Sequence, residues 1–294
     1  MTPKKQDAPI LGRAMLVNVC VGMWTARKHD QEVTDKVNDE LARNRRAGRY
    51  WKRLFGGEIT SHSALVTAAQ VARRTHYKHT LPWEDSGWRI LPTANYFAYT
   101  EAMRDVQNRF ENALETFISE YPKLVQQARE RLGKMYRKAD YPSANEIRRK
   151  FHIALEFSPL PASSDFRLSL PEKELTAMSR TIEDRVSRAV KEAMSDIWTR
   201  LGDAVVELRE KLDDGKYLRD TMISRVGEVA EILGRLNVTE DQKLEQMRKK
   251  VIADLASLDV HSLKEDDKVR ETAAKKADAI LKQMAGVYSI PKKK

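Results

Sequence analysis

Residues 42–53 (ARNRRAGRYWKR) combine six basic side chains with two adjacent aromatic ones and contain no acid. Arginine and lysine neutralise the phosphates of a nucleic-acid backbone, and an aromatic ring offers a flat face on which an unpaired base stacks. The alternative interpretation is a solvated basic helix end without a ligand. The predicted nucleic-acid-binding residues of this stretch are Arg43, Arg45, Arg46, Arg49, Tyr50, Trp51, Lys52 and Arg53. Charged residues flank Trp51 on both sides, which makes it the best candidate for a stacking platform.

A second basic and aromatic stretch follows at residues 73–83 (RRTHYKHTLPW). We expect Arg73, Arg74 and Lys78 to assist the first stretch in contacting phosphate. The positive charge of the chain is concentrated in the same part of the sequence. Residues 1–100 carry +7 of the total formal charge of +10, whereas residues 171–294 carry only +1. Any electrostatic attraction for nucleic acid is therefore predicted in the first third of the chain.

The sequence contains few residues whose spacing indicates catalytic chemistry. His76 and His79 lie three residues apart near a predicted helix end, where both can face one metal ion, with Glu84 or Asp85 as an oxygen ligand. No cysteine pair supports such a site, so we predict no metal and no cofactor and keep a metal-dependent enzyme as an alternative. The phosphate-cradling motif GxxxxGK[ST] and the dinucleotide motif GxGxxG are both absent from the sequence. This favours a binding protein without catalytic residues over an enzyme.

Periodicity predicts the elements that carry the first stretch. Apolar residues from Met15 to Met23 occupy every second position, which is typical of a strand. Asp30 is placed to cap a helix that leads directly into residues 42–53. Ser61 or Ser63 is predicted to begin a second helix that ends near residue 79.

The middle of the chain is predicted to alternate between turns, helices and strands. Residues 83–92 read as a turn or short hairpin around Gly87, and Thr93 begins a long helix. Pro122 falls where a new helix can begin, and Ser143 with Glu146 matches a capping box. Residues 151–157 alternate as a strand does, and residues 165–170 are predicted to be its partner strand in a small sheet.

After Pro171 the pattern becomes that of long amphipathic or coiled helices. Apolar residues recur at intervals of three and four from Leu175 to Leu212, and three further helices follow, one of them with a predicted capping box of Thr239 and Gln242. We therefore predict a mainly α fold in two domains. Residues 1–170 form a basic α-rich domain with a small β-sheet, and residues 171–294 form an elongated antiparallel helical or coiled-coil arm.

The expected location of the protein is the cytoplasm. Cys20 is the only cysteine, which excludes an internal disulfide and fits a reducing compartment. No stretch of the sequence is long and apolar enough to predict a membrane span, so no membrane partner is expected.

Five strings fall in order between about residues 10 and 170. They are W-T-A-R-K-H-D (24–30), A-G-R-Y (47–50), L-P-W-x-D-x-G-W-R-I-L-P-x-A-N-Y-F (81–97), A-D-Y-P (139–142) and D-F-R-L (165–168). In these strings the chain resembles an uncharacterised family of bacteriophage and integrative-element proteins. Members of that family are often encoded beside a MoxR/CobS-like AAA+ ATPase and a von Willebrand A-type protein. The resemblance implies a bacterial host and these two partners, and it carries over no catalytic residue.

Two hypotheses of different classes follow. In the first, the protein binds single-stranded or non-sequence-specific DNA through its basic-aromatic surface, and the helical arm forms a homo-oligomer or recruits partners. In the second, it is a coiled-coil adaptor or assembly factor for the AAA+ ATPase with no nucleic-acid role. The first requires the positive excess to gather on one face, whereas the second requires an exposed apolar stripe along residues 175–236.

Overall fold

The computed structural model of the chain describes residues 8–41, 47–56, 59–84, 86–162, 171–214 and 218–287. It confirms the predicted mainly α fold with a small antiparallel sheet. The helices within these ranges are Ala8–Leu11 (α1), Gln31–Leu41 (α2), Thr60–His79 (α3), Tyr96–Leu132 (α4), Ala144–Arg148 (α5), Glu172–Asp214 (α6), Asp220–Leu236 (α7), Gln242–Val251 (α8), Val260–Glu265 (α9) and Asp267–Met284 (α10). None of these described helices is long and apolar enough to cross a membrane.

The strands belong to two small sheets. They are Ala14–Gly22 (β1), Arg27–His29 (β2), Trp51–Arg53 (β3), Leu81–Pro82 (β4), Arg89–Pro92 (β5) and His152–Pro159 (β6). One sheet has the strand order β4-β5-β1-β6, and the other consists of β2 and β3. The strands predicted near residues 19 and 151–157 are confirmed as β1 and β6. The predicted hairpin at residues 83–92 is confirmed because β4 pairs antiparallel with β5. The predicted partner strand at residues 165–170 lies outside the described residues.

The chain divides into two compact units. Unit 1 comprises Met1–Asn18, His76–Thr100 and Glu156–Lys294, and unit 2 comprises Val19–Thr75 and Glu101–Leu155. This division differs from the predicted boundary at residue 170. The physical reason is that apolar side chains at the start of the chain and in β4 and β5 share one core with the long helices.

Unit 1 is built on the predicted apolar seam of α6. From Val186 to Leu212, residues at intervals of three and four are buried against apolar positions of α7, α8 and α10. The predicted capping box of Thr239 and Gln242 is wrong, because Asp241 caps α8 by accepting hydrogen bonds from the main-chain N–H groups of Lys243 and Leu244. A carboxylate accepts from two N–H groups at once and also suits the positive end of the helix.

Unit 2 has an aromatic core that supports the candidate site. The ring of Phe55 lies edge-on to those of Trp24, Phe117 and Tyr121, at centroid distances of 5.8–6.4 Å. Such edge-to-face pairs stabilise the core beyond the contribution from burying the large apolar rings. Pro122 lies inside α4 rather than at the start of a new helix. The buried face of α4 continues on both sides of this proline, which keeps the helix in one piece.

Candidate nucleic-acid interface

The ribbon formed by β2 and β3 sorts the first basic stretch into two faces. Arg27 lies opposite Arg53 and His29 opposite Trp51, and the remaining pair of the register is formed by two lysines. Because successive side chains of a strand point to opposite faces, these four side chains share one face of the ribbon and Lys52 belongs to the other. The sequence predicted a helix leading into this stretch but no strand within it, and residues 51–53 are a strand because they pair with β2.

Lys52 is a correction to the predicted site. Its side chain is only 2 % exposed, and its Nζ lies 3.2 Å from Oδ2 of Asp30 and 2.8 Å from Oδ2 of Asp140. The same ammonium group donates to the main-chain oxygen of Met135 at 2.9 Å. A buried ammonium group is tolerated only with such partners, so Lys52 fixes the ribbon and is not available to phosphate.

Asp30 connects this ion pair to a helix. Its Oδ1 accepts the main-chain N–H of Val33 at 3.2 Å, which confirms the predicted cap of α2, while its Oδ2 faces Lys52. Burial by itself raises the pKa of Asp30, but the hydrogen bond from Val33 and the charge of Lys52 outweigh it, so the pKa is lowered. The carboxylate stays ionised and joins the start of α2 to β3.

Residues 47–50 are a turn held against α2. Gly48 and Asn38 exchange two hydrogen bonds of 3.1 Å, one in each direction between main chain and side-chain amide. The main-chain N–H of Tyr50 donates to the hydroxyl oxygen of Thr34 at 2.9 Å. Arg49 and Tyr50 are exposed on this turn.

Trp51 is held from one side and open on the other. Its ring centroid lies 5.6 Å from that of His29, with an interplanar angle of 58°. The hydroxyl hydrogen of Thr34 is used by the main-chain oxygen of Asp30 at 2.7 Å, so the contact of 3.1 Å between this hydroxyl and Nε2 of His29 requires Nε2 to donate. His29 is thereby oriented against the indole of Trp51, which remains 54 % exposed.

Trp51 forms part of one wall of a groove with a volume of about 710 Å³. The apolar residues that line this groove are Met23, Trp24, Trp51, Val66 and Ala69. The polar residues that line it are Thr25, Arg27, His62, Gln70 and Arg73. Mostly apolar walls with a few convergent polar groups are typical of ligand sites of this size.

One face of α3 supplies the opposite side of the groove. His62, Val66, Gln70 and Arg73 follow one another at intervals of four, four and three residues, so they share a helical face. Arg74 is exposed on α3 but is not among the residues that line the groove. The structure therefore brings only one arginine of this predicted pair to Trp51.

A second, smaller pocket of about 210 Å³ adjoins the groove. Thr25, Arg27 and His62 line both cavities, and the smaller one adds Arg53 and Ser63. No acidic residue is found among the described residues that line either cavity. Two arginines and two hydroxyl groups therefore face a small space to which the described part of the chain contributes no carboxylate.

A hydrogen bond from an arginine of α4 holds the end of β3 in place. Arg131 donates from Nη2 to the main-chain oxygen of Arg53 at 2.8 Å. A Cβ at Gly56 would lie 2.5 Å from Cδ of Arg131, so the absence of a side chain at this position lets the arginine reach the strand. The backbone of Arg53 is thus fixed while its side chain is exposed beside the smaller pocket.

Residues 76–83 of the second basic stretch belong to unit 1 and have a different environment. Nδ1 of His76 lies 2.8 Å from the hydroxyl oxygen of Tyr99, and Nδ1 of His79 lies 3.3 Å from Nδ2 of Asn95. Burial and, secondarily, the charge of Arg89 lower the pKa of His76 to about 4. Burial also lowers the pKa of His79. Both histidines are thus neutral parts of a buried polar network.

This environment argues against the metal hypothesis at His76 and His79. Glu84 pairs with Arg185, and Asp85 lies outside the described residues. Among the described residues, no three histidine, cysteine, aspartate or glutamate side chains lie close enough together to hold a metal ion. Nζ of Lys78 lies 3.0 Å from Oε2 of Glu228, so this predicted phosphate contact is already paired in unit 1.

Some predicted site residues are not described by the structure, and some residues that line the groove were not predicted. Arg43, Arg45 and Arg46 lie outside the described residues. Arg27 and Gln70 were not predicted, although both line the groove. The alternation of Arg27 with His29 just after an apolar strand is a signal for one face of a ribbon, whereas nothing in the sequence marks Gln70.

Comparison with protein-family models, with curated proteins and with solved structures finds no match. The resemblance to the bacteriophage and integrative-element family therefore stays a prediction. The function is inferred from the geometry and chemistry of the groove.

Proposed function

We propose that the protein is a non-enzymatic nucleic-acid-binding protein of a bacteriophage or mobile element. It binds single-stranded DNA without strong sequence preference through the groove of unit 2. The observation that carries this proposal is the half-exposed ring of Trp51 beside Arg27 and Arg73, in a groove lined by no acidic residue that the structure describes.

The chemistry of the groove favours an unpaired strand. A base stacks on an aromatic side chain only when its face is free, and each stacked base contributes about 1–3 kcal/mol. Every base has such a face, so stacking tolerates different sequences. Arginines at the rim neutralise the phosphates between successive bases and release their counterions, which adds affinity that depends on salt.

Charge placement supports this hypothesis over the adaptor. Arg27, Arg53 and Arg73 gather around the two adjoining cavities, as a nucleic-acid surface requires. The adaptor hypothesis requires an exposed apolar stripe along residues 175–236. In the described parts of that range, 175–214 and 218–236, no large apolar side chain is exposed. The adaptor for a AAA+ ATPase therefore remains the alternative without this support.

The proposal gives the helices of residues 171–294 a role in homo-oligomerisation or in recruiting the AAA+ ATPase and the von Willebrand A-type protein. Its expected location is the cytoplasm of the bacterial host, where DNA and both partners are accessible. Light scattering of the full chain at several concentrations tests the oligomer, since a constant monomer mass contradicts self-association.

The decisive experiment measures the anisotropy of labelled single-stranded and double-stranded DNA during titration with the full chain. Trp51→Ala is expected to weaken single-strand binding about tenfold or more, because it removes a stacking face. Arg27→Gln with Arg73→Gln is expected to reduce the slope of log affinity against log salt by about two. Phe97→Ala and Arg129→Gln are matched controls, since both side chains are exposed elsewhere.

Binding that neither the tryptophan nor the arginine substitutions change would overturn the proposal. Equal losses in the two control variants would overturn it as well, because the effect would then not belong to the groove. Tighter binding of double-stranded than of single-stranded DNA would contradict the stacking mechanism specifically.

A further inference from the structure

We infer that the groove and the smaller pocket together form a site for a single nucleotide, with the unstacked base in the groove and its phosphate in the smaller pocket. This inference rests on the proposed function, which it makes more specific. A strand would then be gripped at one nucleotide rather than along a continuous track.

The two cavities differ in polarity in the way that the base and the phosphate of a nucleotide differ. The groove has the apolar walls that a base requires, with the indoles of Trp24 and Trp51 among them. The polar residues that line the smaller pocket include Arg27, Arg53 and the hydroxyl-bearing Thr25 and Ser63, and its apolar residues are Ala26, Phe55 and Ile59. Guanidinium and hydroxyl groups are the side chains that hold phosphate oxygens, and hydrogen bonds to such a charged group are the strong ones.

The cavities also have suitable sizes. A volume of about 710 Å³ lies within the range of small-molecule sites and leaves room for a base and its sugar, and about 210 Å³ leaves room for a phosphate group. Thr25, Arg27 and His62 line both cavities, so a ligand that fills one of them borders the other. A base and its phosphate are joined through one sugar and require this kind of adjacency.

His62 lies at the junction and is already oriented. Its Nε2 lies 3.2 Å from the main-chain oxygen of Trp24, and a carbonyl oxygen can only accept, so Nε2 donates and Nδ1 is the ring nitrogen left for a ligand. The ring centroid is 5.7 Å from that of Phe117 and 6.5 Å from that of Phe151. These contacts fix the imidazole, which places this polar ring beside both cavities without any rearrangement on binding.

The ribbon has the rigidity that a one-nucleotide site requires. Arg27 and Arg53 are directly paired across β2 and β3, and Trp51 is two residues away on the same face. Lys52 anchors the opposite face by its buried ion pairs. The stacking ring and the two guanidinium groups are therefore presented by one fixed element.

The test uses the tryptophan fluorescence of the full chain. Thymidine 5′-monophosphate is expected to quench it to saturation, because Trp24 and Trp51 both line the groove. Thymidine, which lacks the phosphate, is expected to bind about tenfold more weakly. Arg27→Gln with Arg53→Gln should abolish this advantage of the phosphate, Trp51→Ala should abolish most of the quenching, and Arg129→Gln should change neither.

A second arm uses oligothymidylate of about 20 nucleotides, a length that spans any single site. If this strand binds through Trp51 but the mononucleotide does not quench, or if thymidine binds as well as its monophosphate, the single-nucleotide site is overturned and the proposed function stands. If neither the strand nor the mononucleotide binds, both are overturned. Saturable quenching by the mononucleotide with a phosphate advantage that requires Arg27 and Arg53 supports the inference.

Discussion

The basic-aromatic stretches at residues 49–53 and 73–83 are similar in composition and different in environment. In the first, Trp51 is 54 % exposed, whereas in the second, Trp83 is 2 % exposed and belongs to the core of unit 1. The lysines differ in the opposite sense, because Lys52 is buried between two carboxylates and Lys78 has an exposed ion pair.

The difference shows that backbone geometry, rather than composition, decides which of these side chains can meet a ligand. A strand sends successive residues to opposite faces, so Trp51 lines the groove and Arg53 lines the smaller pocket while Lys52 turns inward. The second stretch covers a helix end and the strand β4. Its Trp83 fills a core, whereas its Tyr77 is 53 % exposed and has the guanidinium carbon of Arg89 4.5 Å from its ring centroid.

The largest expected effect is on the two tryptophans. Trp83→Ala should lower the free energy of unfolding by about 4 kcal/mol, because it opens a cavity in the core, and should leave DNA affinity unchanged in the folded fraction. Trp51→Ala should change stability by less than about 1 kcal/mol while it weakens DNA binding. Urea unfolding and DNA titration of both variants measure the contrast. Similar losses of stability in the two variants would remove it.

The two lysines that face each other across the ribbon give the next effect. Lys52→Met should lower the free energy of unfolding by about 3 kcal/mol, because Asp30 and Asp140 would be left buried without their cation. Its register partner Lys28 is exposed, so Lys28→Met should be close to neutral. Thermal unfolding compares the variants, and an equally stable Lys52→Met protein would show that the ion pairs are dispensable.

The buried histidine of the second stretch should make stability depend on pH. The unfolded chain binds a proton at His76 near pH 6.5, whereas the folded chain resists until about pH 4. Stability is therefore fully present above pH 6.5 and is lost as the pH falls towards 4, by about 2 kcal/mol at pH 5.

His76→Asn preserves a polar group near Tyr99 and removes the titrating ring. Urea unfolding between pH 4 and 7 should therefore show a flatter profile for the variant, with the part that remains due to His79, whose pKa burial also lowers. Parallel profiles for the variant and the original protein would assign the pH dependence elsewhere.

The smallest expected effect is a difference in the salt dependence of DNA binding between substitutions of two cations of α3. Arg73→Gln should reduce the slope of log affinity against log salt by about one, because Arg73 lines the groove. Lys78→Gln should leave the slope unchanged, since the lysine is paired with Glu228. A salt titration of DNA binding compares them, and an equal change of slope in both would place the phosphate path outside the groove.

The sequence predicts the elements of the fold wherever the signal is local. Alternation locates β1, Asp30 marks the start of α2, and Ser143 with Glu146 forms the predicted capping box. The grouping of the chain into units was not predicted, because Trp83 and the helices after residue 171 share a core across a long stretch of chain.

The candidate site was also predicted only in part, because some of its residues are recognisable by type and others depend on contacts between distant parts of the sequence. Trp51, Arg53 and Arg73 stand out by residue type and do line the two cavities. The inward orientation of Lys52 depends on Asp140, which is distant in sequence and gives no local signal. Arg27 reaches the site through its register with Arg53, and a register between separated strands is set by tertiary structure.

The two oxygens of Asp30 have a consequence for local opening of the molecule. One oxygen accepts from the first turn of α2, and the other forms the ion pair with Lys52 of β3. If either element frays, Asp30 moves and the buried ion pair is broken. The helix start and the strand therefore open as one cooperative unit. Amide exchange at Val33 and at residues 51–53 should therefore reflect a common opening free energy, so the strand that carries Trp51 is expected to open no more often than the start of α2.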